Sequence, residues 1–155
     1  MFKRLNLFLI YILDKLNLER DRLYLAYDFW GKKFLGILKD KIHFDNLEFG
    51  ETQVIAIREK PPFPQFLASD RHVSMDAVSV ENIVWNDNKL CLKLNLVSGS
   101  TTTYSFYVPD VYSLKKAFME KGKAEIIPGE KGEDGQVINV LVKAEESSDS
   151  LTLAF

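Results

Sequence analysis

From Arg22 onward the apolar positions recur at every second residue, the alternation of a pleated strand that buries one face. Leu90, Leu92, Leu94 and Leu96 alternate with Lys89, Cys91, Lys93 and Asn95, so burying the leucines turns the polar set to water. That is the clearest strand in the chain. Leu23, Leu25, Tyr27 and Phe29 form a similar inward row, as do Tyr104, Phe106 and Val108, then Leu151, Leu153 and Phe155. Alternation and β-branched content predict further strands over residues 41–49, 51–59, 77–85, 123–127 and 136–144. Turn chemistry separates them at Trp30-Gly31-Lys32, Phe49-Gly50-Glu51, Trp85-Asn86-Asp87-Asn88, Ser98-Gly99-Ser100 and the run Pro128 to Gly135. Short strands at such intervals, without helical periods between them, predict an all-β fold, an antiparallel β-sandwich of about eight to ten strands.

Two stretches fit less cleanly. In residues 5–16, Leu5, Leu9, Ile12, Leu13 and Leu16 would share a helical face, yet Leu7, Phe8, Ile10 and Tyr11 are apolar too, so residues 1–20 read as an atypical first strand or a short helix. Residues 113–121 have Asp110 and Ser113 as candidate caps but are short for a helix, and strand is preferred. Pro61-Pro62-Phe63-Pro64 cannot sit in a central strand and reads as a connector. The acidic run Glu145 to Asp149 reads as a solvated hairpin turn.

At 155 residues, 46% hydrophobic and 27% charged, the chain reads as one folded domain spanning 1–155. A net charge of −2 supplies no basic field for phosphate backbones, so nucleic acid is not an expected partner. The apolar stretch from Leu5 to Leu13 is far shorter than the roughly 20 residues of a membrane-spanning helix, and no membrane association is expected. Phe2-Lys3-Arg4 before that stretch imitates a secretory signal, but Asp14-Lys15-Leu16-Asn17 stands where a small-x-small cleavage site would be needed. The single cysteine, Cys91, excludes an internal disulfide or a cysteine-built zinc site and suits a reducing compartment, so the expected location is cytoplasmic.

No phosphate-cradling glycine loop, nucleophile elbow or pair of histidines at metal spacing occurs, and no cofactor is expected. Asp70-Arg71-His72 crowds a carboxylate, a guanidinium and an imidazole into one segment, half of a catalytic arrangement. Ser69 and Ser74 are too near in sequence to be placed as its nucleophile, and a hydrogen-bonded loop stitching two strands is the favoured reading, with ligand or partner contact next. Trp30, Trp85, Tyr107 and Tyr112 have faces that suit a sugar ring, but aromatics are also the ordinary filling of sandwich cores. Cys91 between Lys89 and Lys93 reads as a lone surface thiol, and His43 as a packed or edge histidine.

Tyr27-Asp28-Phe29-Trp30-Gly31-Lys32-Lys33-Phe34-Leu35-Gly36 and Phe66-Leu67-Ala68-Ser69-Asp70-Arg71-His72-Val73, with Val84-Trp85-Asn86-Asp87 and Ser105-Phe106-Tyr107-Val108-Pro109 following in order, resemble the C-terminal β-sandwich of melibiase-type α-galactosidases and raffinose-synthase-like glycoside hydrolases. The resemblance runs from about Leu5 to Phe155. In that family the substrate pocket and both catalytic aspartates belong to an upstream (β/α)₈ barrel, which needs at least about 200 residues. Asp28, Asp70 and Asp87 match positions of the accessory domain, so the resemblance carries over no catalytic residue and implies a chain that is not an enzyme.

The expected role is a non-catalytic accessory sandwich packing against a separately encoded glycosidase chain; the alternatives are a small carbohydrate-binding module or the remnant of a split hydrolase gene. Phe8, Ile10, Trp30, Asp70, Arg71 and His72 are the candidate partner or sugar contacts. The surplus apolar face of residues 5–13 further predicts a homodimer.

Overall fold

The computed structural model describes residues 7–12, 16–19, 21–47, 52–71, 79–132 and 134–155, with backbone alone for 7–12 and 43–47. Among these the chain is all-β and antiparallel, with thirteen strands and no α-helix. The all-β sandwich expectation holds, with more strands than the eight to ten expected. The chain divides into two compact units, Met1–Lys60 and Pro61–Phe155.

In the first unit β1 (Leu7–Ile12) pairs with β4 (Lys41–Leu47), while β2 (Tyr24–Asp28) lies between β3 (Lys33–Leu38) and β5 (Ile55–Glu59). Within the stretch left between strand and helix, residues 7–12 form a strand, with Ile10 opposite His43. A central strand covered on both faces cannot show alternation, and all five residues of β2 are buried. The inward row expected there is corrected accordingly. Leu23 precedes the strand and is 42% exposed, whereas Tyr24 and Ala26, assigned outward by the pattern, are buried. The β2–β3 register jumps from Ala26 opposite Gly36 to Tyr27 opposite Phe34, leaving Leu35 as the extra residue of a bulge. Gly36 adopts φ +111°, a conformation that an L side chain rarely takes.

The second unit is a sandwich of two four-stranded sheets. One has the order β10 (Lys116–Met119), β13 (Ser148–Ala154), β8 (Lys89–Asn95), β7 (Val80–Asn86); the other has β11 (Lys123–Lys131), β12 (Gly135–Lys143), β9 (Thr101–Pro109), β6 (Gln65–Ser69). Their inner faces supply one core, in which Leu90, Leu92, Leu94, Leu151 and Leu153 meet Phe66, Tyr104, Phe106, Val140 and Val142, all almost fully buried. At roughly 2 kcal/mol for each large side chain removed from water, these residues dominate the unit's stability.

Three expectations are corrected. β6 and β3 fell on segments to which the alternation gave no strand, because Phe66-Leu67-Ala68 is a continuous apolar run and Gly36 interrupts the other. The run from Pro128, expected to be one long turn, stays in β11 as far as Lys131, with Pro128 opposite Ile138 and a register irregularity after it. β11 is the edge of its sheet, where a proline removes no ladder hydrogen bond. The acidic run bends only at residues 145–147, and its last member, Asp149, is buried.

Candidate functional site

Asp70 and Arg71 follow β6 directly and are held by main chain. The Asp70 N–H donates to Thr103 O at 3.1 Å and the Asp70 carboxylate accepts from the Thr103 N–H at 3.0 Å, closing a ring against β9. Arg71 Nη1 donates to Asn95 O at 2.7 Å, at the end of β8 in the opposite sheet, and the Arg71 N–H donates to Ser69 Oγ at 3.3 Å. A carboxylate and a guanidinium so engaged join the ends of three strands. His72 lies outside the described residues.

The other aspartates singled out from the sequence sit at turns. Asp28 is buried, and its Oδ1 accepts from the Trp30 N–H at 3.1 Å, an Asx arrangement that shapes the turn into β3. Asp87 and Asn88 both have positive φ, the signature of a two-residue type I′ hairpin between β7 and β8. Asp87 Oδ2 accepts from Asn86 Nδ2 at 3.1 Å.

Asp149 was missed by sequence reading. It is only 4% exposed, and its carboxylate collects the N–H groups of Glu120, Lys121 and Gly122 at 2.8–3.3 Å, together with that of Ser150 at 2.7 Å. It thereby fixes the turn that carries the chain from β10 to β11. The signal existed: Asp149 shares the period-two row of Leu151 and Leu153. Beside it, a hydrogen bond from Lys121 to Glu146 raises the ammonium above its ordinary range, in an ion pair open to water.

Of the four aromatics considered as sugar platforms, Tyr107 is buried and its hydroxyl donates to Asp134 O at 2.8 Å. Burial first, then the carboxylates of Asp134 and Asp110, raise its phenol above the ordinary tyrosine range. Trp85 stacks on Phe63 with centroids 5.5 Å apart and rings within 3° of parallel, and meets Tyr112 at 5.3 Å and Phe155 at 5.7 Å. Trp85 and Phe155 pack against the sandwich core, and the four rings contact one another. Trp30 is different: it is 58% exposed and touches Phe29 edge-on at 4.7 Å. Phe8 and Ile10 lie on β1, whose side chains are outside the description. Cys91, half-buried on the outer face of β8, accepts a long hydrogen bond from Thr152 Oγ1 at 3.7 Å.

Two grooves are lined by described residues. In the first unit, a space of about 690 Å³ is lined by Asp28, Lys33, Lys39, Asp40, Lys41 and Gln53 among others; the Gln53 Oε1 is buried without a hydrogen-bond partner among the described residues. In the second unit, a space of about 530 Å³ opens along the side of the sandwich where β10 and β11 are the sheet edges, lined by Phe118, Met119, Gly122, Ala124 and Leu141 with Lys123, Glu125 and Lys143. Among the described residues no group of three or more His, Cys, Asp or Glu side chains could hold a metal ion. No helix of the described residues is long and apolar enough to cross a membrane.

No family model, no curated protein and no solved structure matches the chain.

Proposed function

We propose that the chain is a non-catalytic accessory β-sandwich that acts by contact, packing against a separately encoded glycosidase catalytic chain. The observation that carries the non-catalytic part is the use made of the aspartates. Asp28, Asp70 and Asp149 each accept hydrogen bonds from main-chain N–H groups, so their lone pairs hold turns and strand ends together. A retaining glycosidase instead needs two carboxyls about 5 to 5.5 Å apart facing a sugar-shaped cleft. The partner class rests on the resemblance of the Tyr27–Gly36 and Phe66–Val73 segments to the melibiase-type C-terminal sandwich.

Affinity capture from the source cells with the tagged full chain tests the reading. A captured polypeptide that contains a (β/α)₈ barrel and hydrolyses aryl α-galactosides is the expected result. Turnover of the same substrates by the repurified chain alone, abolished by Asp28→Asn, Asp70→Asn or Asp87→Asn, would overturn it.

A second reading, a small carbohydrate-binding module, draws on one observation: the exposed ring of Trp30. It requires tryptophan fluorescence to titrate with galactose-containing oligosaccharides, and the response to disappear in Trp30→Ala.

A further inference from the structure

β11 is the edge of its sheet; among the described residues β12 pairs with one side of it and no strand pairs with the other. The groove of about 530 Å³ is lined at the start of this strand by Lys123, Ala124 and Glu125, with Phe118 and Met119 of β10 and Leu141 of β12. An exposed edge of this kind is a template for another strand. Its two halves differ. From Pro128 to Lys131 it carries a proline, a glycine and a register irregularity, all of which obstruct pairing. From Lys123 to Ile127 the register is regular.

The register also sorts the side chains. Ala124 and Ile126 lie opposite Val142 and Val140, both fully buried, and so belong to the inner face. Lys123, Glu125 and Ile127 belong to the outer face. There Lys123 stands directly opposite Lys143, a like-charged cross-strand pair that is unfavourable as it stands. Ile126 and Ile127 are 37% and 38% exposed.

We propose that this half-strand is a homodimer seam, in which β11 of a second copy pairs antiparallel with it about a two-fold axis through Ala124. Continuing the sheet with outer faces on one side requires outer residues to oppose outer residues, so the axis passes through a residue. An axis at Glu125 or Lys123 sets like charges face to face. One at Ile126 or Ile127 sets Lys123 opposite Gly129 or Lys131, within the obstructed half. With the axis at Ala124, Lys123 faces Glu125 of the copy and Glu125 faces its Lys123. Each row across the outer face then reads Lys143, Lys123, Glu125, and the carboxylate relieves the lysine pair. The same register places the copy's Ile126 opposite Gly122, in the groove that Met119 and Ala124 also line. Because the obstructed half cannot extend the ladder, the assembly closes as a dimer.

The test is the mass of the full chain by sedimentation or light scattering at high micromolar concentration and low salt. The wild type is expected to be dimeric. Lys123→Glu and Glu125→Lys should each weaken the dimer by about tenfold or more, since each places two like-charged pairs in the seam, and the double exchange should restore it. In a Cys91→Ser background, Ala124→Cys should oxidise to a covalent dimer while Ile127→Cys, opposite Lys121, should not. A wild type that is monomeric, single charge variants that dimerise like the wild type, or a dimer lost in Phe8→Lys/Ile10→Thr and indifferent to the charge exchange would overturn the proposal.

Discussion

A buried carboxylate that gathers four main-chain N–H groups ranks among the strongest local devices in this molecule, because hydrogen bonds to a charged acceptor contribute about 1.5 to 3 kcal/mol each. Asp149→Ala leaves the N–H groups of Glu120, Lys121 and Gly122 without that acceptor. We expect a loss of about 3 kcal/mol by urea unfolding, and a smaller one for Asp149→Asn, which retains an acceptor oxygen. An Asp149→Ala loss near zero would exclude the carboxylate as the anchor of that turn. Tyr107 provides a pH-dependent counterpart. Its phenol titrates above the ordinary value of about 10 in the folded chain, through burial and then through Asp134 and Asp110, so the folded state favours the neutral form. That stability is complete below about pH 10 and declines as pH rises through the folded value. Tyr107→Phe should therefore cost about 1 kcal/mol at neutral pH, through the lost hydrogen bond to Asp134 O, and should flatten the alkaline decline. Thermal melts of both proteins between pH 8 and about pH 11 check it; parallel alkaline slopes would exclude Tyr107 as the titrating group.

At the scale of the element, legibility followed the number of buried faces. β8 was read correctly because only its leucines are buried, which leaves a strict alternation; β6 escaped because Phe66, Leu67 and Ala68 are all buried. β11 was truncated for another reason, since proline and glycine are turn signals and nothing in the sequence announces an edge strand. The candidate site was legible in part. Asp70-Arg71 was found by its crowding of polar types, and both residues bind backbone, whereas Asp149 was hidden inside an acidic run whose other residues are exposed. Gly129 tests the edge-strand account directly. A Cβ there would lie 2.2 Å from Val137 O and 2.9 Å from Val137 C, both backbone atoms of the paired strand. Gly129→Ala should destabilise the chain by about 2 kcal/mol. In a solvated turn, as the sequence alone suggested, the same change would be nearly neutral, and a neutral result in urea unfolding would return residue 129 to a turn.

For the molecule as a whole, the division at Lys60 and Pro61 raises the question of how many cooperative bodies the chain contains. Every member of the main core cluster, from Phe66 to Leu153, belongs to the second unit, as do both sheets that enclose it. A body with its own core and its own complete ladders holds the terms that dominate folding, and it is of a size at which small domains unfold as two-state systems. The fragment Pro61–Phe155 should accordingly fold by itself and unfold in one cooperative transition. Leu92, 1% exposed at the centre of that core, supplies the quantitative check. Leu92→Ala should cost about 3 kcal/mol through lost burial and the cavity left behind, and the loss should be the same in the fragment and in the full chain. If the fragment gives the spectrum of an unfolded chain, the single domain of residues 1–155 expected from the sequence is the correct unit of folding. A folded fragment with a matching Leu92→Ala penalty instead assigns the sandwich to residues 61–155 alone and makes residues 1–60 a separate body.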